Sequence, residues 1–355
     1  MKGLILSGGK GTRLRPITHT SAKQLVPVAN KPVLFYGIDA MAAAGIEQIG
    51  IIIAPETGDE IRAAVGDGSR FGVAVTYVEQ DRPGGLAHAS LTAEAYLDGD
   101  PFVMYLGDNL LQGGITELVE SFRASEPDAL ILLTPVDDPE NYGVAELDGD
   151  NRVKRLVEKP PEPATNLALV GVYMFTAGIH DAARAIEPSP RGELEITDAI
   201  QYLVDDGKRV EPHIVRGWWK DTGRLDDMLE ANRLVLDRIE PRIEGELVDS
   251  QCDGRVVVER GAVLERTTVR GPAIIGAGAR ITDAYIGPYT AIGEGCVISS
   301  AEVEHSILLE GSKVENLEGR MESSLLGRNV TIARGVRQPR AYRFMVGDNS
   351  EIGIL

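Results

Sequence analysis

Short apolar runs alternate with helical patterns over residues 1–240. Because their apolar residues are continuous rather than alternating, the runs predict strands that are covered on both faces. They lie at 3–7, 49–54, 73–79, 101–107 and 129–136. The helical patterns lie at 30–45, 58–66, 86–97, 115–125, 191–207 and 224–240, the fifth entered from a loop. This alternation is typical of βαβ units, so the segment predicts a Rossmann-like, mostly parallel α/β sheet.

Residues near its ends refine the helix predicted at 30–45, and one further segment has a different pattern. Asn30 is expected to cap the helix at 30–45, with Pro32 in its first turn and Gly45 at its exit. The segment 142–160 differs, because two alternating strands flank the turn sequence "DGDN". We predict a β-hairpin there that lies over the sheet.

After about residue 250 the apolar period changes to six. The repeating positions are Val257, Val263, Val269, Ile275 and Ile281, and, after a slip of one, Ile286, Ile292 and Ile298. This hexapeptide repeat predicts a left-handed parallel β-helix, in which each six-residue side contributes one inward apolar residue. A sandwich of short strands is the alternative, but its turns come every 8–12 residues. We predict domains at 1–240 and 241–355, the second ending in a tail (342–355) without a recognisable pattern.

Composition narrows the functional classes. A length of 355 residues accommodates two domains, and a net charge of −18 makes binding to DNA, RNA or an anionic membrane unfavourable. Cys252 and Cys296 have no metal-ligand spacing, which favours a reducing cytoplasm. We expect no signal peptide, and the run at 49–54 is too short to span a bilayer.

The glycine-rich stretch "LILSGGKGTRLRP" (4–16) follows the first predicted strand. It matches neither a P-loop nor a dinucleotide fingerprint. Its backbone N–H groups can converge on an anion, and Arg13 and Lys23 add positive charge. A plain tight turn is the alternative for the glycines alone, and Lys10 and Arg15 receive no role.

Two aspartates follow strand-like runs, Asp108 in "YLGDN" and Asp221 in "WWKDTG". Ligands of open α/β sheets bind at the carboxyl ends of strands, and oxygen ligands suit Mg²⁺. Taken singly, each aspartate could be a solvated turn residue. Glu158 and Lys159 could form a surface ion pair, and Arg191 could be an ordinary charged loop residue. Together, glycines, cations and carboxylates favour phosphoryl or nucleotidyl transfer. An attacking phosphate oxygen is already ionised and needs no general base.

Seven motifs in order carry a family resemblance: "GGKGTRLRPIT", "KQLVPVANKP", "LGDN", "YGVAELD", "EKP", "SPRGELEITD" and "WWKDTG". The chain resembles the sugar-1-phosphate nucleotidylyltransferases, in particular their thymidylyltransferase branch in its long form with an appended hexapeptide domain. The resemblance implies transfer of a deoxythymidylyl group from dTTP to glucose 1-phosphate with Mg²⁺ as cofactor. The products would be pyrophosphate and dTDP-glucose, and the dTDP-glucose would feed deoxysugar biosynthesis.

The resemblance also implies residue roles. Arg13, Lys23 and Lys159 would be the catalytic cations, with Arg13 stabilising the departing pyrophosphate. The nucleotide would contact Leu6, Gly8, Gly11, Thr12, Gln80, Gly85 and Asp108, with Gln80 reading the thymine edge. The sugar phosphate would contact Tyr142, Gly143, Glu158, Lys159, Leu169 and Arg191, with Glu158 accepting from glucose hydroxyls. The Mg²⁺ ligands would be Asp108 and Asp221.

Departures from the family pattern leave alternatives open. Ser7 stands where Ala is usual, Ala29 where short forms have Tyr, His88 where they have Gln, and Lys220 where an apolar residue is common. A UTP-preferring enzyme or one acting on another sugar phosphate therefore remains an alternative. A bifunctional acetyltransferase would need a general base, for which His305 is the sequence's candidate. The intact cation and carboxylate set argues against a catalytically dead sensor. We expect the β-helix to be a homo-oligomerisation platform, with effector binding as the alternative.

Overall fold

The computed structural model describes residues 1–9, 11–19 and 21–334. The chain forms two compact units, Met1–Lys10 with Val33–Asp221, and Gly11–Pro32 with Thr222–Leu355. The predicted boundary between residues 240 and 241 stays a prediction. Lys10, which has no predicted role, and the tail that was predicted to lack a pattern lie outside the described residues.

The elements before residue 240 contain the predicted strands and helices. The strands are β1 (Lys2–Ser7), β2 (Pro27–Val28), β3 (Lys31–Pro32), β4 (Gln48–Ile53), β5 (Ala74–Glu79), β6 (Phe102–Leu106), β7 (Asn109–Leu111), β8 (Ala129–Pro135), β9 (Gly143–Leu147), β10 (Val153–Glu158), β11 (Leu167–Phe175), β12 (Val210–Ile214) and β13 (Trp219–Asp221). The helices are α1 (Val33–Ala43), α2 (Gly58–Val65), α3 (Leu86–Thr92), α4 (Glu94–Leu97), α5 (Thr116–Ser125), α6 (Gly178–Ala185), α7 (Ile196–Asp205) and α8 (Leu225–Leu236).

The first unit is built on a nine-stranded sheet with the order β10-β9-β11-β6-β1-β4-β5, to which β8 and β12 are added through β11. Strands β6, β1, β4 and β5 are parallel. Strand β11 is antiparallel to β6, β8 and β9. The predicted α/β class is confirmed, in the form of a mixed sheet whose parallel part contains β1.

Two predictions about this sheet are wrong in detail. The run at 73–79 is not covered on both faces, because β5 is the last strand of the sheet and its residues are exposed or half-buried. The hairpin at 142–160 forms as β9 and β10, but β9 pairs with β11, so the hairpin extends the sheet and does not lie over it. Strands β1, β4, β6 and β8 are almost wholly buried, as predicted.

The predicted cap at Asn30 is also wrong. Strands β2 and β3 pair so that Val28 lies opposite Lys31, which leaves Ala29 and Asn30 as a two-residue turn. Both turn residues have positive φ, as this tight hairpin geometry requires. Helix α1 therefore begins only at Val33, and its predicted exit at Gly45 is confirmed by a φ of 71° there.

The second unit contains stacked parallel strands. They are β14 (Arg242–Ile243), β15 (Glu246–Val248), β16 (Gln251–Asp253), β17 (Val256–Val258), β18 (Val263–Glu265), β19 (Thr268–Arg270), β20 (Ala273–Ile275), β21 (Arg280–Thr282), β22 (Tyr285–Ile286), β23 (Thr290–Ile292), β24 (Val297–Ser299), β25 (Glu302–Glu304), β26 (Ile307–Leu308), β27 (Lys313–Glu315), β28 (Arg320–Glu322), β29 (Leu325–Leu326) and β30 (Thr331–Ala333). Every third strand joins the same sheet, giving two six-stranded sheets and one five-stranded sheet. The predicted left-handed β-helix is confirmed, and it continues to Ala333 although the sequence repeat fades after residue 300.

The inward register differs from the strict six-residue period in the first coil. Val258 pairs with Ile275, and Ile275 with Ile292, so one coil takes 17 residues instead of three full hexapeptides. Because one side of each of these two coils is a residue shorter, the core contains Val258 and Leu264. The predicted inward positions Val257 and Val263 are therefore wrong, whereas the later predicted positions lie in the core.

Each unit has its own apolar core. In the first unit the sheet packs against α3, α6 and α7 through a cluster that includes Phe102 and Phe175. In the second, the core is the stack of apolar side chains inside the coils. Among the described residues, no helix has the length and apolar character needed to cross a membrane.

Candidate active site

Three predicted site residues in the first unit follow parallel strands at the same edge of the sheet. Gly8 follows β1, Gln80 follows β5 and Asp108 follows β6 by two residues. The backbone N–H of Gln80 donates to Ile53 O at 2.9 Å, which extends the strand pairing to this edge. Since ligands of open α/β sheets bind at the carboxyl ends of their strands, this edge is the candidate site.

Gln80 is the centre of the predicted nucleotide cluster. It is 8% exposed, and its Nε2 lies 3.4 Å from Gly85 O and 2.9 Å from His88 Nδ1. Its Oε1 faces Gly8, where an added Cβ would lie 3.3 Å away. The structure thus brings Gly8, Gln80 and Gly85 together, whereas the side chain of Leu6 packs in the core.

The Gly84–Gly85 segment is tied to the loop that follows Arg191. Leu194 N donates to Gly84 O at 2.8 Å, and Ala87 N donates to Leu194 O at 3.1 Å. Gly85 has a φ of +98°, and a Cβ on it would collide with the backbone of Leu194. Glycine is therefore required at this position for the nucleotide cluster and the Arg191 loop to approach so closely.

The two predicted metal ligands are brought together by a short antiparallel pair. Strand β13 pairs with β7 so that Asp221 lies opposite Asn109, the neighbour of Asp108. Asn109 Nδ2 donates to Asp108 Oδ1 at 2.9 Å, and Trp219 Nε1 donates to Asn109 Oδ1 at 2.6 Å. Asn109 is only 2% exposed, so this chain of hydrogen bonds orients the carboxylate of Asp108.

The donor set at these aspartates fits Mg²⁺. Two carboxylates are available there, on Asp221 and on Asp108, the neighbour of the residue that Asp221 faces, and within the described part of the chain no group of three or more His, Cys, Asp or Glu side chains could hold a metal ion. Mg²⁺ commonly uses one or two carboxylates and completes its shell with water and substrate phosphate oxygens. A cavity of about 300 Å³ borders Asp221 and is lined in part by Tyr142 and Trp219.

Glu158 is the centre of the predicted sugar-phosphate cluster. Its Oε1 accepts from Arg191 Nη2 at 2.9 Å and lies 3.6 Å from Lys159 Nζ. Its Oε2 accepts from the hydroxyl of buried Thr197 at 2.7 Å. Lys159 has a φ of 42°, and this bend after β10 allows adjacent residues to serve one ligand.

Gly143 lies directly against this carboxylate. A Cβ at residue 143 would lie 2.8 Å from Thr197 Oγ1, 3.1 Å from Glu158 Oε2 and 3.5 Å from Leu169 Cδ1. The carbonyl of Tyr142 accepts from Lys159 N at 3.0 Å, and its ring contacts Trp219 edge-on at 5.4 Å. The structure therefore brings together all six predicted sugar-phosphate residues.

Acidic side chains surround Arg191. Its Nη2 donates to Glu195 Oε1 at 2.9 Å, and Ser189 Oγ donates to the same oxygen at 2.7 Å. Burial opposes the charge of Arg191, but the hydrogen bond to Glu195 and the nearby carboxylates raise its pKa above the ordinary value. Burial, with the charges of Glu195 and Glu158, also raises the pKa of Asp198. Because the hydrogen bonds to Glu158 and Glu195 use Nη2, the Nε and Nη1 N–H groups can donate to a phosphate.

The remaining predicted cations lie in the second unit, on the segment Gly11–Pro32. Gly11 has a φ of 61°, its carbonyl accepts from Thr18 Oγ1 at 2.6 Å, and an added Cβ would lie 2.8 Å from Lys23 Cβ. Thr12 and Arg13 are exposed on a 3₁₀ turn (Thr12–Leu14), whereas Lys23 is 8% exposed. This unit therefore places Gly11 beside Lys23 and presents Arg13 on the adjoining turn.

Hydrogen bonds anchor this segment to α8 and the β-helix. Ala29 N donates to Asn232 Oδ1 at 2.9 Å, and Asn232 Nδ2 donates to Tyr289 O at 2.9 Å. Asn30 Nδ2 donates to Ile292 O at 2.7 Å. Asn232 and Tyr289 belong to none of the quoted motifs, so sequence reasoning missed these two anchoring residues.

His305, the proposed base of the acetyltransferase alternative, lies at a corner of the β-helix. Its Nε2 is buried without a hydrogen-bond partner among the described residues, and its Nδ1 lies 3.5 Å from Ser323 Oγ. The ring packs edge-on against Tyr289 at 6.2 Å. Because a general base must reach the proton that it abstracts, this packing supports a structural role.

Comparisons with known proteins agree with this geometry. The sequence profile of a family described as Nucleotidyl transferase matches residues 2–238. Glucose-1-phosphate thymidylyltransferases of Streptomyces antibioticus and Streptomyces griseus are 56% and 54% identical, each over 100% of this chain and 99% of the relative. The crystal structure of a candidate glucose-1-phosphate thymidylyltransferase from Bacillus anthracis, in complex with sucrose, is 36% identical with a TM-score of 0.64. That similarity covers 68% of this chain and 98% of the other. The chain belongs to the nucleotidyl transferase family.

Proposed function

We propose that the protein transfers a deoxythymidylyl group from dTTP to glucose 1-phosphate, forming dTDP-glucose and pyrophosphate. The observation that carries this proposal is similarity along the whole chain to two enzymes named for that reaction. The clustering of Glu158, Lys159 and Arg191 beside Gly143 supports a sugar phosphate as the acceptor.

The reaction forms one bond and breaks one. An oxygen of the sugar phosphate attacks the α-phosphorus of dTTP in line, and the bond from that phosphorus to the bridging oxygen of pyrophosphate breaks. The attacking oxygen is already ionised, so the electron pair comes from the substrate and the protein supplies position and charge. Two unit negative charges about 4 Å apart near a protein surface repel by roughly 4 kcal/mol, which the site's cations must offset.

In this proposal the sugar phosphate binds at the Glu158 cluster. Lys159 and Arg191 contact its phosphate, and the carboxylate of Glu158 accepts from glucose hydroxyls. Thr197 and Arg191 fix the carboxylate through both of its oxygens, so it is oriented before the sugar arrives. Gly143 leaves room for the sugar ring, while Tyr142 and Leu169 line the same place.

The triphosphate is bound by cations from the glycine-rich segment. Arg13 and Lys23 contact the phosphates, Arg13 stabilises the departing pyrophosphate, and Gly11 and Thr12 offer backbone N–H groups. Asp108 and Asp221 would hold Mg²⁺, which supplies further neutralisation of phosphate charge. Leu6, Gly8, Gln80 and Gly85 frame the base and deoxyribose.

Three broader proposals accompany this activity. We propose that the predicted boundary at residues 240/241 separates a nucleotidyltransferase domain from the β-helix, and that the β-helix mediates homo-oligomerisation. Size-exclusion chromatography with light scattering tests the oligomer, and a monomer at micromolar concentration would contradict it.

We also propose a cytoplasmic location, which the two unbridged cysteines support.

Steady-state kinetics of pyrophosphate release test the activity. With glucose 1-phosphate as acceptor, dTTP should be used at least as efficiently as UTP. Arg191→Gln should raise the KM for glucose 1-phosphate about tenfold or more, because a phosphate ligand is lost. Arg184→Gln is the matched control, since Arg184 pairs with Asp181 and Glu94 on the first unit's helices. Markedly faster turnover of UTP, or equal KM values in the two variants, would contradict the proposal.

A further inference from the structure

The side-chain amide of Gln80 has a defined orientation. Its Nε2 lies 3.4 Å from the carbonyl oxygen of Gly85 and 2.9 Å from Nδ1 of His88. A carbonyl oxygen can only accept a hydrogen bond, so the nitrogen end of the amide must face Gly85. The opposite end, Oε1, is directed toward Gly8 at the end of β1.

This orientation determines which ring nitrogen of His88 accepts a hydrogen bond and which one carries the proton. Because the NH₂ group of Gln80 only donates, Nδ1 of His88 must accept, and the ring proton of the neutral imidazole is then on Nε2. The ring lies against Gly84, where an added Cβ would lie 2.7 Å from Cγ and 2.8 Å from Nδ1 of His88. His88 is also held in helix α3, where its carbonyl accepts from Thr92 Oγ1 at 2.9 Å.

With both amide hydrogens committed, Gln80 presents an acceptor to a base beside Gly8. Thymine and uracil carry a hydrogen-bond donor at N3, whereas N3 of cytosine is an acceptor. An acceptor facing N3 is therefore complementary to the first two bases and repels the lone pair of the third. If the amide could rotate, it would offer its NH₂ group to cytosine equally well.

We propose that His88 is a positioning residue that locks the Gln80 amide and so makes the site reject cytosine nucleotides. The proposal rests on the proposed function, because that function places the pyrimidine beside Gln80. His88 does not contact the substrate in this scheme, and it acts through the amide alone. The sequence marked His88 only as a departure from the short-form pattern, and the structure gives this departure a consequence.

Calorimetric titration of the full chain with dTTP, UTP and dCTP, without sugar phosphate, tests the lock. We expect the wild type to bind dTTP and UTP about tenfold or more tightly than dCTP. His88→Leu and His88→Ala, which lack the acceptor, should reduce this ratio to less than about threefold. His88→Asn can place Oδ1 where Nδ1 lies and should keep the wild-type ratio. His213→Leu, on β12, is the control for loss of an imidazole and should leave the ratio unchanged.

An unchanged ratio in both acceptor-less variants would overturn the proposal, as would equal losses in His88→Asn and His88→Leu. Equal binding of dTTP and dCTP by the wild type would overturn it too. Turnover with glucose 1-phosphate, measured separately, distinguishes this failure from that of the proposed function. A wild type that keeps the binding preference but forms no dTDP-glucose contradicts the proposed function alone.

Discussion

Replacing Asn232 with alanine should release the segment that carries Arg13 and Lys23 from its support in the second unit. Asn232 is fully buried on α8 and bridges the N–H of Ala29 and the carbonyl of Tyr289. Alanine leaves both backbone groups without this partner. Ala29 itself packs against α8 and the outer face of the β-helix, in a cluster with Leu236, Val257, Ile274 and Ala291.

The size of the effect follows from the two unpaired groups. A buried polar group that loses its partner costs about 1–3 kcal/mol, so the pair should cost about 3 kcal/mol in local stability. At about 1.4 kcal/mol per factor of ten, this corresponds to roughly 100-fold more frequent opening of the turn at Ala29.

Hydrogen exchange measured by mass spectrometry on the full chain is the suitable assay. The peptide that contains the Ala29 amide should exchange roughly 100-fold faster in Asn232→Ala than in the wild type, while peptides from α5 keep their wild-type rates. Arg238→Ala, an exposed truncation just after α8, is the matched control and should change little. Exchange at Ala29 within about threefold of the wild type would show that Asn232 does not anchor the segment.

Three further outcomes are expected. Gly143→Ala should raise the KM for glucose 1-phosphate about tenfold with little change in the KM for dTTP, because the alanine Cβ would lie 2.8 Å from Thr197 Oγ1 and 3.1 Å from Glu158 Oε2. Equal effects on both KM values would count against the assigned sugar site. Asp108→Asn should lower Mg²⁺-dependent turnover about 100-fold with unchanged circular dichroism, and retained turnover would remove Asp108 from the metal site. Burial lowers the pKa of His180, and the charge of Glu94 partly opposes this shift. The native state therefore binds fewer protons than the unfolded state, so its stability falls as the pH drops through the ordinary histidine range near 6.5. His180→Phe should lessen this decline, by at most about 1.4 kcal/mol per pH unit, in urea unfolding at pH 7.5 and 5.5, and an identical decline would show that His180 is not its source.

The fold was largely predictable because its strongest signals are periodic. Continuous apolar runs marked β1, β4, β6 and β8, and the six-residue repeat marked the β-helix. The sequence placed Val257 in the core, whereas its neighbour Val258 lies there. The reason is that a 17-residue coil has one side that is a residue short, which shifts the inward position by one. Likewise, the exposure of β5 follows from its place at the sheet edge, which no local pattern specifies.

The candidate site was predictable where a residue belongs to a motif or follows a parallel strand. Gly8, Gln80 and Asp108 lie at one edge because the strands before them are parallel. Supporting residues such as Thr197 and Asn232 act through hydrogen bonds to partners that are distant in the sequence, so no spacing revealed them. Asn109 could have been found, because it follows Asp108 directly in "LGDN".

In the proposed reaction a sugar-phosphate oxygen attacks the α-phosphorus of dTTP. ³¹P nuclear magnetic resonance can follow this oxygen when the glucose 1-phosphate carries ¹⁸O in its non-bridging phosphate oxygens. We expect dTDP-glucose in which ¹⁸O bridges the two phosphorus atoms and shifts the resonances of both, together with unlabelled pyrophosphate. Release of dTDP together with a newly phosphorylated sugar that carries the label would show that the α-phosphorus is not attacked. The presence of ¹⁸O in the pyrophosphate would show the same.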